Sequence, residues 1–248
     1  MPIRIDSGVP PVSSTSGTLY AVTGSGSGHS DGRTERWREH RAARRAEFVD
    51  AAFRAIDKHG PAVGMAEIAR EAGVAKPRLY RHFADKAELH EAVSRRTFAL
   101  VRDRLAPALT EPAPLRVRVR MSVRAYVGVL AEHPNVFRFV CAARAGEQAR
   151  AERTAAAGPI AAMLDEYLRA FGVDSRGAAP WAHGLVGAVE AAGNWWLDHP
   201  GLPEEEIVDY LTTLVGGAIE AVLRSEGVEL GPDEPVDLQR KETHGSQA

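Results

Sequence analysis

Apolar residues recur at helical spacing along most of the chain, and Pro and Gly cut the pattern into separate segments. A long first helix carries Phe48 and Ile56. A short helix follows over 65–72, where Ile68, Ala69 and Ala72 make a narrow stripe of small apolar residues that lets another helix approach closely. Gly73 stands where the chain must turn through positive φ, and Val74 folds back onto the pair. A second short helix starts at Lys76 with Pro77 in its first turn, and Leu79 and Phe83, one turn apart, face the core. A linking helix is predicted over 85–105, carrying Leu89, Val93 and Val101 and ending before Pro107. Further helices are predicted over 115–132, 134–143, 159–171, 180–199 and 203–225. No segment alternates as a strand would. The expected fold is all-α: an N-terminal three-helix domain with a helix-turn-helix, then a C-terminal helical bundle. The expected divisions are a disordered tail at 1–33, the helix-turn-helix domain at 34–84, the bundle at 85–226 and a flexible tail at 227–248.

With Leu79 and Phe83 inward, Pro77 and Arg81 fall on the opposite face of the second helix, and Arg78 and Tyr80 on its flanks. Such a helix fits the major groove of B-DNA. Arginine can donate two hydrogen bonds to guanine, and a helix N-terminus favours phosphate. The alternative reading is a solvated cationic face, with Tyr80 packing on the turn and His82 capping a short helix.

In the segment from Arg44 to Leu89 the chain resembles the TetR family of bacterial one-component transcription regulators. The resemblance rests on Phe48 and Ile56, the run Ile68, Ala72, Gly73 and Val74, then Leu79, Tyr80 and Phe83, then Asp85, Lys86 and Leu89. It implies that Lys76, Pro77, Arg78 and Arg81 face bases or nearby phosphates, and that Tyr80, His82 and Lys86 hold the DNA backbone. One departure stands out. The family places Ser or Thr before the first helix of the unit, whereas Gly64, Met65 and Ala66 bring no capping hydroxyl. Met65 and Ala66 are therefore not counted as contacts.

Charge supports a nucleic-acid partner. Residues 33–104 hold 17 Lys and Arg against 11 Asp and Glu, whereas residues 105–248 hold 13 against 20. The formal net charge of −2 thus conceals a basic front and an acidic back, which suits a protein whose one end meets DNA. Arg36, Arg38, Arg41, Arg44 and Arg45 form a basic lead-in that either reaches adjacent DNA or is a solvated helix start, with Trp37 available as an anchor. Residues 1–33 are rich in Ser, Gly, Pro and Thr and lack the apolar surface to order themselves.

Composition removes other classes. A single cysteine, Cys141, precludes an intrachain disulfide or cysteine zinc cluster and suits a reducing cytoplasm. No run of about 18 apolar residues suggests a membrane span, and no signal-peptide pattern opens the chain. Gly-rich phosphate loops, H-E-x-x-H, G-x-S-x-G and Cys-x-x-Cys are absent, and the scattered histidines offer no paired metal ligands. No enzyme, metal site or cofactor is expected. A helical scaffold or partner-binding protein remains the alternative, but it would leave the cationic helix without purpose.

The bundle offers two further surfaces. Gly184 and Gly187 in one late helix, and Leu211, Leu214, Val215, Ala218 and Val222 in the next, place small and apolar residues at helical spacing. The resemblance implies that these last helices pair with their copies in a homodimer, which would read double-stranded DNA as an inverted-repeat operator. Tyr126, Phe137, Val140, Cys141, Met163, Tyr167, Trp195 and Trp196 are candidate lining for a small hydrophobic effector, although plain core packing gives the same pattern. Trp195 and Trp196, being adjacent, cannot face the same way on a helix, so one is expected at a pocket or a dimer seam. Arg138, Arg144, Arg150 and Arg153 could receive an anionic head, which favours a fatty acyl or acyl-CoA type ligand. A steroid-like, aromatic or drug-like ligand is the competing class. The expected activity is repression relieved when the ligand fills the pocket.

Overall fold

The structure, a computed structural model, describes residues 29–142, 147–170 and 172–228, without the side chains of 29–33, 147–149, Glu152, Tyr167 and Ala170. Most of the expected N-terminal coil and the tail beyond Val228 therefore lie outside the described residues. The described residues form helices α1 (His29–His59), α2 (Met65–Glu71), α3 (Lys76–Leu79), α4 (Lys86–Thr110), α5 (Leu115–Glu132), α6 (Pro134–Ala142), α7 (Glu147–Ala170), α8 (Ala178–Leu197) and α9 (Glu204–Ser225). No strand occurs among them. The chain divides into two compact units, Met1–Ala42 and Ala43–Ala248.

Within the second unit, Phe48, Ala52 and Ile56 of α1 lie one turn apart and bury one stripe against Ile68, Leu79 and Phe83. Gly73 takes φ +65°, and Val74 N–H donates to the Ala69 carbonyl, closing the turn between α2 and α3. Asp85 caps α4 by accepting from Glu88 N–H at 2.8 Å, and the Glu88 carboxylate reaches back to Ala84 N–H at 2.7 Å.

The helix-turn-helix domain, the head of the molecule, does not end at residue 84 as the sequence pattern suggests. Leu89, Ala92 and Val93 of α4, and Val136, Phe139 and Val140 of α6, belong to the same buried cluster as Phe48 and Phe83. One core thus crosses the expected boundary at residue 84. A second cluster joins α5, α7, α8 and α9, with Val119, Val127, Leu168, Val208 and Leu211 buried, and extends to Val228 beyond α9. Gly193 lets α8 approach α5 closely, since a Cβ there would stand 2.8 Å from Leu130 Cδ2.

Two helices run through prolines at which the sequence reading ended or began them. Helix α4 continues through Pro107 to Thr110, and α7 starts at Glu147, well before Pro159. Each proline removes one i to i−4 hydrogen bond, which would leave the carbonyl of Asp103 or Ala155 short of a partner. Both prolines and both of those residues are exposed, which leaves the carbonyls within reach of water and lets the helix continue.

Candidate nucleic-acid interface and effector cavity

The helix-turn-helix is built around two anchors. Leu79 and Phe83 are fully buried, and they orient the residues between and around them. Lys76, Pro77, Arg78, Tyr80, Arg81 and Lys86 are all exposed, on α3, on the hydrogen-bonded turns that continue it to Phe83, and at the start of α4. Lys76 Nζ lies 5.8 Å from the Tyr80 ring centre, so the tyrosine and the lysine share one edge of this surface. His82 differs from the other six: it is half-buried, with its ring edge-on to Phe48 at 4.9 Å between centres. That packing turns the imidazole toward the core rather than outward with its neighbours.

Helix α3 is a single turn of four residues, shorter than the sequence suggests, so its macrodipole is small and attraction for phosphate rests on the side-chain cations. The missing cap of α2 is partly replaced. Glu67 accepts from Gly64 N–H at 3.2 Å, and Met65 is buried while Ala66 is exposed.

The basic lead-in is divided by its partners. Arg45 lies over the Phe83 ring at 4.5 Å and donates to Glu88 at 2.7 Å, and Arg44 pairs with Glu47. These two arginines are held by protein groups. In the N-terminal unit, Arg41 lies over the exposed Trp37 ring at 5.4 Å and Arg38 pairs with Glu35.

Glu88 links the capping of α4 to Arg45, and the sequence reading did not single it out. The Ala84 N–H and then the Arg45 guanidinium hold its carboxylate below the usual glutamate range. A depressed folded-state pKa adds stability that is present above the ordinary glutamate pKa and is lost as pH falls through the lower folded value. Glu88→Gln is therefore expected to flatten the acid limb of the stability profile, measured by urea unfolding from pH 6 to pH 3. Because the pair is partly exposed, its effect at neutral pH should stay below about 1 kcal/mol.

A cavity of about 190 Å³ lies within the bundle. Its walls come from Phe98, Val101 and Leu105 of α4, Val119 and Val123 of α5, Ile160 of α7, Leu185, Val186 and Val189 of α8, and Val215 and Ile219 of α9. Tyr126, Phe137, Val140 and Met163, candidates from the sequence, also face it. Three other candidates do not. Cys141 turns to Asn194, its Sγ 3.0 Å from Oδ1; Trp195 is 52% exposed and stacks on His199; Trp196 packs on the bundle core and donates from Nε1 to the Leu202 carbonyl. The side chain of Tyr167 lies outside the described residues. Arg138 donates to the Leu197 carbonyl and faces Asp198, while Arg150 and Arg153 are exposed, so none of the three forms the wall. Arg144 is outside the described residues.

The polar part of the wall went unrecognised in the sequence. It consists of Thr97, Arg118, Ser122 and Glu190 beside Tyr126. Arg118 and Glu190 are 5% and 8% exposed. A signal did exist, because Glu190 is the only Asp, Glu, Lys or Arg within α8. The arginines of α5 divide by register: Arg116, Arg120 and Arg124 bridge to Glu220, Asp209 and Glu205 of α9, while Arg118 falls on another face.

Helix α6 connects cavity and head. Val140 faces the cavity and belongs to the head cluster, and Phe137 faces the cavity one turn earlier. Phe139 packs in the head core, where the His90 ring lies at 4.7 Å and His90 Nε2 is 3.0 Å from the Phe139 carbonyl. At the start of α6, Asn135 donates to the Asp57 carbonyl at 2.9 Å and His133 Nδ1 lies 3.0 Å from Asp57 Oδ2. A displaced α6 therefore strains contacts to both α1 and α4.

The late helices present a mixed surface. Gly184 and Leu214 are exposed, and Gly187, Ala218 and Val222 are half-buried. Leu211 and Val215 turn inward instead, Leu211 into the bundle core at 1% exposure and Val215 onto the cavity. The outward positions follow a different register. Gly184, Ala191 and Trp195 of α8 and Tyr210, Leu214 and Ala221 of α9 form the exposed, largely apolar stripes. Among the described residues there is no cluster of metal-ligating side chains, and no helix is long and apolar enough to cross a membrane.

Residues 48–93 match the model for bacterial regulatory proteins of the tetR family, and residues 104–230 match the tetracyclin repressor-like C-terminal domain. The chain is 36% identical over 202 residues to an uncharacterized HTH-type transcriptional regulator of Mycobacterium tuberculosis, covering 79% of this chain and 86% of that one. A solved tetR-family transcriptional regulator from Streptomyces coelicolor superposes with a TM-score of 0.58 at 22% identity, covering 75% of this chain and 84% of that one. The transcriptional regulator FadR from Bacillus subtilis in complex with stearoyl-CoA does so with 0.55 at 17% identity, covering 74% and 99%. These two structures share the fold. With both halves of the architecture matched in sequence and a relative alike over most of its length, the chain belongs to the TetR family of bacterial transcription regulators.

Proposed function

We propose that this regulator is a cytoplasmic homodimeric repressor that leaves an inverted-repeat operator when a small hydrophobic ligand fills the bundle cavity. The observation that carries the reading is the exposed cationic face of Lys76, Arg78, Arg81 and Lys86, held outward by fully buried Leu79 and Phe83. Two copies related by a two-fold axis would set their α3 turns about 34–36 Å apart for a simple palindrome. The exposed stripes of α8 and α9 supply an apolar surface for that pairing. The ligand would act through α6, since Phe137 and Val140 face the cavity while Phe139 and Val140 lie in the head core. It can shift the equilibrium only by its differential affinity for the two states, which for such couplings is about 1–3 kcal/mol.

For the ligand we favour an acyl-like apolar body. The mostly apolar walls and the acyl-CoA complex of a protein of the same fold support that choice. A cavity of about 190 Å³ would leave a coenzyme A portion outside it.

Footprinting on genomic fragments tests the DNA-binding reading, with a protected inverted repeat as the expected result. Phosphate contacts act alike on all sequences, whereas base-edge contacts discriminate. Arg78→Ala is expected to cost about 1–3 kcal/mol on the operator and little on random DNA. Lys86→Ala should weaken both and lower the salt dependence. Equal losses on both DNAs for Arg78→Ala would remove it from the base-reading set.

A further inference from the structure

The cavity wall carries both a basic and an acidic side chain. Arg118, Ser122 and Tyr126 are spaced i, i+4, i+8 on α5 and form one polar stripe facing the cavity, and Glu190 projects into the same space from α8. The remaining surroundings are almost wholly apolar. Arg118 stays protonated at any working pH, and enclosing a guanidinium is costly unless a carboxylate shares its surroundings. Among the described residues, Glu190 is the only carboxylate in this wall. Counted at their formal charges, these two side chains cancel.

We infer that the effector of this cavity has an uncharged polar head, one that accepts from Arg118 and donates to Glu190, and not a free carboxylate or an ammonium. A primary amide or an alcohol on an apolar body has that chemistry. A carboxylate would add a second negative charge beside buried Glu190, and an ammonium a second positive charge beside buried Arg118. Either leaves an uncompensated charge in apolar surroundings, where the penalty is largest. The neutral head meets both groups without changing the charge balance. Among its contacts, Arg118 Nη2 donates to the Leu109 carbonyl and lies 3.6 Å from Met163 Sδ. A guanidinium has five N–H groups and a carboxylate about four acceptor sites, enough for protein partners and a ligand head together. Size sets the body. A cavity of about 150 Å³ accommodates benzene, so about 190 Å³ suits a compact ring or a short acyl chain.

This inference rests on the reading of the cavity as the effector site, and the experiment separates the two. The intact protein is titrated at pH 8 with paired probes of equal length, the six- to ten-carbon n-alkyl amides and the matching carboxylates. Binding is followed by calorimetry and operator release by fluorescence anisotropy. The amide of best-fitting length is expected to bind at least about tenfold more tightly than its carboxylate and to release the operator, the tenfold corresponding to about 1.4 kcal/mol. In Glu190→Gln, which keeps the size of the side chain and leaves Arg118 as the net charge, the preference should move at least about tenfold toward the carboxylate. A carboxylate that binds the unaltered protein as tightly as its amide and releases the operator would overturn the uncharged-head inference while leaving the cavity as effector site. An unchanged preference in Glu190→Gln would also overturn it. Binding by no probe of either series would overturn the effector site itself, and the inference with it.

Discussion

Replacing Leu214 by glutamate is expected to convert the proposed dimer to a monomer at micromolar concentration and to lower affinity for the proposed inverted repeat by about 10²–10⁴. The magnitude comes from linkage. When two reading heads are joined, the second half-site is engaged intramolecularly, and the gain over a single head is about 10²–10⁴ without any new contact. Leu214 is 52% exposed, near Tyr210 at 60% one turn earlier on α9, and Trp195 on α8 is 52% exposed as well. A charge placed among such groups costs little within one protomer, because surface substitutions mostly stay within about 0.5 kcal/mol. Across a two-fold it would bring like charges into an apolar seam. Sedimentation velocity with an operator titration checks the outcome, and unchanged helicity by circular dichroism separates it from unfolding. If the Leu214→Glu protein remained dimeric and held its operator, the α8 and α9 face would not be the seam.

Phe139→Ala is expected to destabilise the protein by about 3–5 kcal/mol, the usual cost of emptying a buried phenylalanine site. The side chain is 4% exposed, within the cluster that also holds Phe48, Leu79 and Phe83. For a chain of this size each kcal/mol lowers Tm by about 2–4 °C, so a fall of roughly 6–20 °C is expected in a thermal melt. Operator affinity should fall as well, although Phe139 lies in α6 and is not among the exposed cationic-face residues, because the head loses part of the core that orients α3. Phe137→Ala is the informative comparison. Phe137 faces the cavity and packs with Val129 and Leu130 rather than in the head cluster, so its loss should alter ligand response more than operator affinity. A Tm for Phe139→Ala within about 2 °C of the unaltered protein would mean that α6 is not a structural part of the head.

The head was readable because its signals are local. Gly73, Pro77, Leu79 and Phe83 specify a turn, a helix start and an inward face within eleven residues, and their spacing alone places Arg78 and Arg81 outside. His82 was harder to read. On a short turn its direction depends on the neighbouring Phe48 ring, thirty-four positions away in the chain. Helix boundaries at Pro107 and Pro159 were misread for a related reason: whether a proline ends a helix depends on whether the lost hydrogen bond faces water, which is a property of packing.

The cavity shows the same division between local and distant information. Periodicity identified Phe137 and Val140 as one face of α6, since i and i+3 share a side on any helix. Which of several apolar faces encloses space and which fills core depends on how five other helices lean against it. Hence Leu211 and Val215 turn inward from a stripe that reads as a dimer seam, and Trp195 lies outside the cavity.

By itself the sequence determined the all-α class, the helix-turn-helix and its cationic face, and a family likeness, because turn chemistry and helical period act over a few residues. Only the tertiary structure decided that α6 belongs to head and cavity at once, and that Arg118 and Glu190 line one cavity. Those are spatial relations between residues tens of positions apart, and no local period encodes them.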